Sequence, residues 1–330
     1  MMKLQIGIIG TGWFSRVHAQ ILSEREDVQI GAVCGTSKAK AEEFAAGFNI
    51  PASFASVSEM LDSVRLDAVY LLVPPMSHGD IEMQLIERGI PFFVEKPIGV
   101  NAEQPLSILK ALRKKPLITS VGYHFRYTET VNQMKQALDG QALGMITGQW
   151  MGSMPQVAWW RDQGRSGGQF MEQTTHLVDI LRYCTGEIEE VYALYDNQVM
   201  HKHFEGVTAA DVGTVTLRLR SGAIANLSNT CVLPEGVGKV GITFYTSEGM
   251  LEWDPERLIR TEAHSTSEIK KVADPYATEN EAFIHAVKTG DASGILSDYE
   301  DAFMTQQVTV AALQSAQTGV PVRIAYNQCF

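Results

Sequence analysis

Four cysteines in 330 residues are too few and too scattered to staple a fold. Cys34, Cys184, Cys231 and Cys329 show no C-x-x-C spacing, which in a chain this large predicts reduced thiols in a cytoplasmic protein. Basic residues are also short. With 27 Lys and Arg against 38 Asp and Glu, the net charge is −11. That excludes nucleic-acid backbone binding as the main task, because the task depends on clustered cations. An anionic ligand must be held by local backbone dipoles and a few placed side chains. No apolar run approaches the ~20 residues that cross a bilayer, so no membrane partner is expected. The apolar N-terminus is broken by Gly7, Gly10 and Gly12, lacks a signal-cleavage pattern and reads as a first strand. His-Glu-x-x-His, zinc-cysteine and Gly-x-Ser-x-Gly patterns are missing. His201 and His203 would share a strand face without a third ligand, so no metal site is expected.

What is present is an ordinary globular composition, 45% hydrophobic and 20% charged, on a chain long enough for two domains. Residues 4–9, 28–34, 67–73, 91–94 and 117–121 are short apolar runs rich in branched side chains. Ala68 to Val73 is apolar without alternation, as befits a strand covered on both faces. Helix punctuation lies between these runs. Asn101 with Gln104 resembles a capping box, Gly89 marks a helix stop, and Ser37 suits an N-cap. Alternating β and α elements predict a doubly wound parallel sheet over residues 1–122.

From 123 to 330 the period changes. Val215, Leu217 and Leu219 alternate with polar neighbours, as do Val240, Ile242 and Phe244, predicting antiparallel strands with one buried face. Thr278 with Glu281, and Ser297 with Glu300, read as capping boxes of two closing helices, the last stopping at Gly319. The expected fold is therefore an α/β Rossmann domain followed by an α+β domain on a large, mainly antiparallel open sheet.

Gly10-Thr11-Gly12-Trp13-Phe14-Ser15 follows the first strand and opens a helix. Gly10 permits the tight turn, and Gly12 lets backbone N–H groups approach a pyrophosphate at the helix N-terminus. Ser15 stands where a third glycine is usual. The second strand ends Cys34-Gly35-Thr36-Ser37-Lys38 without the acid that would bind a ribose 2′-hydroxyl and repel a 2′-phosphate. Thr36, Ser37 and Lys38 therefore favour NADP over NAD. Val94-Glu95-Lys96-Pro97 closes a strand at the ligand-binding edge of such a sheet, where Lys96 is locked before a proline.

In order and spacing these motifs resemble the Gfo/Idh/MocA oxidoreductase family, nearly end to end. Gly10-Thr11-Gly12 with His18 is similar to its nucleotide turn. Pro74-Pro75-Met76-Ser77-His78 resembles its Pro-Asn-x-x-His stretch, with Pro75 replacing Asn. Glu95-Lys96-Pro97 matches its tripeptide. Gly167 to Asp179 resembles its Gly-Gly-x-x-x-Asp-x-x-x-His-x-x-Asp signature, with Glu172 for the first Asp. Arg126-Tyr127 and Trp159-Trp160-Arg161 sit where the family places active-site arginines and aromatics; the tryptophans admit a packing role as well.

The resemblance implies a cytoplasmic NAD(P)-dependent dehydrogenase or reductase acting on a sugar, inositol or polyol. It also implies a homodimer or homotetramer built through the outer sheet face, and a cis Lys96–Pro97 peptide. The implied cofactor contacts are Gly10, Thr11, Gly12, Trp13, Phe14, Thr36, Ser37, Lys38, Pro74, Pro75, His78, Glu95 and Lys96. Substrate contacts would come from Arg126, Trp160, Arg161, Glu172 and His176. The chemistry agrees: oxidising a carbinol needs a base for the hydroxyl proton while hydride leaves carbon, and an imidazole serves both directions. His176 is the expected acid/base and Lys96 the group polarising the oxygen. Glu172, four residues before His176 and on the same face of a helix, supports it. Two other readings remain open, a redox-elimination glycosidase with retained NAD and a non-enzymatic dinucleotide-binding regulator.

Overall fold

The computed structural model describes residues 3–326, so Cys329 lies outside the described residues. Six strands form a parallel sheet in the order β3-β2-β1-β4-β5-β6. They are β1 (Leu4–Ile9), β2 (Val28–Cys34), β3 (Ala52–Phe54), β4 (Ala68–Leu71), β5 (Phe92–Val94) and β6 (Thr119–Val121). Five helices connect them: α1 (Trp13–Ser23), α2 (Lys38–Phe48), α3 (Val57–Ser63), α4 (Asp80–Arg88) and α5 (Glu103–Lys114). β4 is buried at every position, which is why it carries no polar alternation. The two-residue-per-face pattern is equally uninformative for the three-residue β3, an element the sequence reading passes over. Ser37 caps α2 by accepting from Lys40 N, and Gly89 ends α4 in the left-handed region.

The second sheet has nine strands in the order β14-β13-β12-β11-β7-β10-β9-β8-β15. These are β7 (Leu143–Met151), β8 (Ile188–Asp196), β9 (Val212–Leu219), β10 (Ile224–Thr230), β11 (Lys239–Thr246), β12 (Gly249–Asp254), β13 (Arg257–Glu262), β14 (Ser265–Lys270) and β15 (Val322–Arg323). Only the β7–β10 pairing is parallel. Val215, Leu217 and Leu219 of β9 face inward and Thr216 and Arg218 outward. The inner face packs on α6 (Glu129–Leu138) and α8 (Thr175–Thr185), with Leu177, Leu181, Val131 and Phe244 in one apolar core. The short α7 (Gln163–Ser166) precedes α8. Two further helices, α9 (Pro275–Thr289) and α10 (Tyr299–Thr318), lie between β14 and β15 in the chain.

The compact units do not follow a single cut after residue 122. The first comprises the chain up to Gly99, Glu103–His124 and Asp274–Ala302; the second comprises Val100–Ala102, Phe125–Ala273 and the chain from Phe303. The reason is apolar: Phe283 and Ile284 of α9 have no exposed surface and join Ile8, Tyr70 and Phe93 in the core of the parallel sheet. Phe283 meets Tyr70 edge-on at 5.4 Å, and Tyr70 stacks on Phe93 at 5.0 Å. The expected caps also move. Asp274, not Thr278, caps α9 by accepting from Tyr276 N at 3.0 Å, because Pro275 at the first helical position fixes the start. Asp298 rather than Ser297 accepts from Asp301 N at 2.8 Å at the start of α10. Among the described residues no helix is long and apolar enough to cross a membrane.

Candidate active site

The glycine turn is shaped by contacts that leave little choice of residue. Gly10 has φ +116°, and a Cβ there would lie 2.1 Å from the Leu72 carbonyl oxygen. Gly12 is the N-cap of α1 and meets the opposite condition: a Cβ would find nothing within 4 Å. Open space at that point, beside a helix N-terminus that no side chain caps, fits a pyrophosphate approaching the backbone. Ser15, in place of a third glycine, is fully buried and small enough to pass under Gly10. Thr11 lies against Gly35, where a Cβ would stand 3.1 Å from its methyl. Trp13 and the Thr36-Ser37-Lys38 run are exposed. Lys38 Nζ donates to Ser53 O at 2.5 Å and Ser53 Oγ at 3.1 Å, which holds a cation at the end of β2.

After β4, Pro74 leads into a 3-10 turn, Pro75–Ser77. His78 Nδ1 lies 2.7 Å from Glu82 Oε1, and Gly79 N donates to Glu82 Oε2 at 2.7 Å. Gln104, expected to serve a cap with Asn101, donates its amide to the His78 carbonyl oxygen. Glu95 and Lys96 follow β5, and the Lys96–Pro97 peptide is cis. Glu95 turns inward: its Oε1 lies 3.1 Å from His18 Nε2. A Cβ on Gly122 would lie 2.8–3.0 Å from the Glu95 carboxylate, which would have to shift to admit it. The Glu95 carboxylate is thus buried and paired with His18. Lys96 is 9% exposed, with Nζ 5.8 Å from the Phe14 ring centroid beside the glycine turn.

In the second unit, Gly167 and Gly168 are successive left-handed residues at φ +76° and +79°. A Cβ would strike Met171 Sδ at 2.1 Å in the first case and Gln163 Oε1 at 2.6 Å in the second. They start a helical run in which Phe170–Thr174 is wound as a π turn before α8 begins. This changes the expected one-face relation of Glu172 and His176. Within a wider turn, four-residue spacing no longer stacks side chains as it does on an α-helix. Gln169 anchors the bulge, donating to Thr230 O at 3.0 Å and accepting from Asn229 Nδ2 at 2.8 Å.

His176 is buried between two aromatics, stacked on Trp150 at 5.8 Å and edge-on to Phe125 at 5.2 Å. Glu172 Oε2 accepts from Trp160 Nε1 at 3.0 Å. Trp160 is 1% exposed and packs with Met154, Met200 and Cys231, so it holds Glu172 in place and offers no ring face to a ligand. Arg126 is committed elsewhere: it grips Asp179 through two contacts, Nε to Oδ2 at 2.8 Å and a terminal nitrogen to Oδ1 at 2.6 Å. Arg161 stacks on Phe204 at 3.9 Å. A cavity of about 930 Å³ near Lys135, Tyr183 and Cys184 gathers none of the predicted site residues.

Each unit thus assembles its own share of the predicted set. The first brings together the glycine turn, Phe14, His18, Glu95 and Lys96; the second brings together Trp160 and Glu172, with His176 one helical step on. Sequence reading missed Asp179 as the Arg126 partner, Gln169 as the anchor of the bulge, and Glu279 and Asn280 beside His18. Asp179 lies in the quoted signature and could have been read as a buried counter-ion. The other three carry no local spacing signal.

Two family models match, the GFO/IDH/MocA family described as "Oxidoreductase family, NAD-binding Rossmann fold" over residues 4–123, and the GFO/IDH/MocA C-terminal domain over residues 131–252. The chain is 25% identical to myo-inositol 2-dehydrogenase of Thermotoga maritima, covering 97% of this chain and 98% of that one. It is 24% identical to D-xylose 1-dehydrogenase (NADP(+)) 2 of Haloferax volcanii, covering 98% and 100%. Its fold matches the WlbA dehydrogenase from Bordetella pertussis in complex with NADH and UDP-GlcNAcA, with a TM-score of 0.84, 21% identity and 98% coverage of both chains.

Proposed function

Because this chain belongs to the GFO/IDH/MocA oxidoreductase family, whose N-terminal module is an NAD-binding Rossmann domain, we propose that it oxidises a carbinol carbon, or reduces the corresponding carbonyl carbon, of a sugar, inositol or related polyol. The observation that carries the proposal is the buried ammonium of Lys96 beside the glycine turn, over Phe14. Relatives named for myo-inositol and D-xylose support the substrate class.

The cofactor, NADP by preference, accepts or returns a hydride when bound. Gly10, Thr11 and Gly12 with the first turn of α1, including Trp13 and Phe14, hold its diphosphate. Thr36, Ser37 and Lys38 receive a 2′-phosphate through hydroxyls and an ammonium. Pro74, Pro75, His78 and Glu95 would border its nicotinamide end. Lys96 hydrogen-bonds the reacting oxygen and stabilises alkoxide charge. His176 takes the hydroxyl proton in oxidation and returns it in reduction. Glu172, steadied by Trp160, binds a neighbouring hydroxyl or the imidazolium, and Arg161 a more distant part of the substrate. Arg126, bound to Asp179, braces this helix.

The exposed outer face of the second sheet carries Tyr192, Leu194, Ile224 and Tyr245, and we assign it to homo-oligomer formation. The functional reading is tested by nicotinamide absorbance with NAD and NADP separately, against a panel of sugars, inositols and keto-sugars. Turnover with a simple polyol and net release of reduced cofactor are expected, with the higher kcat/KM for NADP. Tight cofactor binding without turnover of any polyol would favour a sensor, and aglycone release without net reduction a glycosidase.

A further inference from the structure

Behind the glycine turn lies a group that the proposed chemistry does not use. Glu279 of α9 has no exposed surface, and neither carboxylate oxygen has a hydrogen-bond partner. A buried carboxylate without donors is costly. The charged groups acting on it make matters worse: burial, then the negative charges of Glu95 and Asp274, push its carboxyl well above the usual range. Facing it are His18 and Glu95, both buried, the imidazole Nε2 3.1 Å from Glu95 Oε1. One atom each from His18, Glu95 and Glu279 lies within 4.8 Å of the others.

A proton alone does not complete this arrangement. A shared carboxyl–carboxylate proton needs oxygens about 2.5–2.7 Å apart, and neither Glu279 oxygen makes a hydrogen bond. A particle with radius fits better. An imidazole with two carboxylates is a ligand set for a divalent transition-series ion. Zinc contacts of about 2.0–2.2 Å would draw Glu279 inward from an arrangement whose ligand atoms lie within 4.8 Å of one another. The charges also close, since two carboxylates neutralise a dication in a setting that tolerates no net charge. Asn280 Nδ2, which also donates to the Tyr276 carbonyl at 2.7 Å, lies 2.9 Å from His18 Nδ1, with the amide oxygen at 3.3 Å; loading a metal on Nε2 therefore requires the amide oxygen to take over at Nδ1 and accept the ring proton.

The geometry points to a structural divalent-cation site, zinc by preference, formed by His18, Glu95 and Glu279. Such an ion would tie α1, the end of β5 and α9 together, joining the returning segment to the parallel sheet. It takes no part in hydride transfer, and it does not depend on the identity of the substrate.

The test is metal content of untagged full-length protein, purified without chelator, desalted and measured by mass spectrometry. On the order of one equivalent of zinc per chain is expected. Chelation should lower Tm and added zinc restore it, and cobalt exchange should give a visible ligand-field spectrum. Glu279→Gln keeps the shape, removes one ligand charge, and should lose the ion and the cobalt spectrum. Because that variant could unfold, the wild-type measurements decide alone. A wild-type chain that purifies metal-free, and whose Tm ignores added zinc, manganese and cobalt, overturns the site. An infrared carbonyl band absent from Glu279→Gln would then identify a neutral acid in its place.

Discussion

Arg126→Met separates two roles for an arginine that the motif alone would place on substrate. The guanidinium and the Asp179 carboxylate are 3% and 1% exposed and meet through two short contacts. Thr305 Oγ1 donates to the same carboxylate at 3.1 Å, and the guanidinium lies 4.8 Å over the Tyr183 ring. Removing the arginine deprives a buried carboxylate of its two-contact counter-ion, and breaking such a pair costs about 3–5 kcal/mol. A substrate contact would appear differently, as a KM rise of tenfold or more, about 1.4 kcal/mol of binding, with stability little changed. Urea unfolding of Arg126→Met should therefore show a loss of about 3–5 kcal/mol. The double variant Arg126→Met with Asp179→Leu should recover much of it, because apolar replacement of both partners leaves no orphaned charge. KM measured on folded protein should stay within about a factor of three of wild type. A stability loss below about 1 kcal/mol combined with a tenfold KM increase would refute the bracing role.

Other consequences are independent of that pair. Phe283→Ala should cost about 3–5 kcal/mol by urea unfolding, since its ring is fully buried between Tyr70 and Phe93; a cost under 1 kcal/mol would show that α9 does not belong to the first core. Burial raises the Cys34 thiol and pushes Cys231 up to about 12, so iodoacetamide at mildly alkaline pH should leave these two unlabelled until the chain unfolds. Rapid labelling mapped to Cys34 or Cys231 in the native protein would contradict their burial. Hydrogen bonds from Arg25 and Lys288 hold the Asp27 carboxyl well below its ordinary range. Its contribution is thus present above the unfolded value of about 3.9 and lost as pH falls through the lower folded value. Wild type should exceed Asp27→Asn in Tm at neutral pH, and the gap should close in strong acid; a gap that widens there would reverse the sign.

The parallel sheet was legible because β4 is an apolar run buried at every position, and β1 and β2 are interrupted only at Gln5 and Gln29. β9 and β11 were legible for the opposite reason, one face wet and one dry. The return of residues 274–302 to the first unit was not, since Phe283 and Ile284 look alike whichever core they enter. Capping errors at Thr278 and Ser297 arose because an aspartate nearer each helix start, Asp274 or Asp298, competes for the same N–H groups. Within the candidate site, residue types were readable from motifs, while their commitments were not. Glu95 turning to His18, Trp160 holding Glu172 and Arg126 gripping Asp179 are long-range pairings without a sequence period. The π turn at Phe170–Thr174 likewise depends on Gln169 reaching the Thr230 carbonyl, a contact across sixty-one positions.

The central claim is that Lys96 and His176 act on one substrate oxygen. Single and double variants, Lys96→Met and His176→Ala, test it most directly when kcat is measured with the best polyol and cofactor affinity by fluorescence titration. Each single change should remove most turnover while cofactor binding stays near wild type, and the double variant should be scarcely worse than either, as for groups serving one step. Near-normal kcat in either single variant, or losses that simply multiply in the double, would contradict the account.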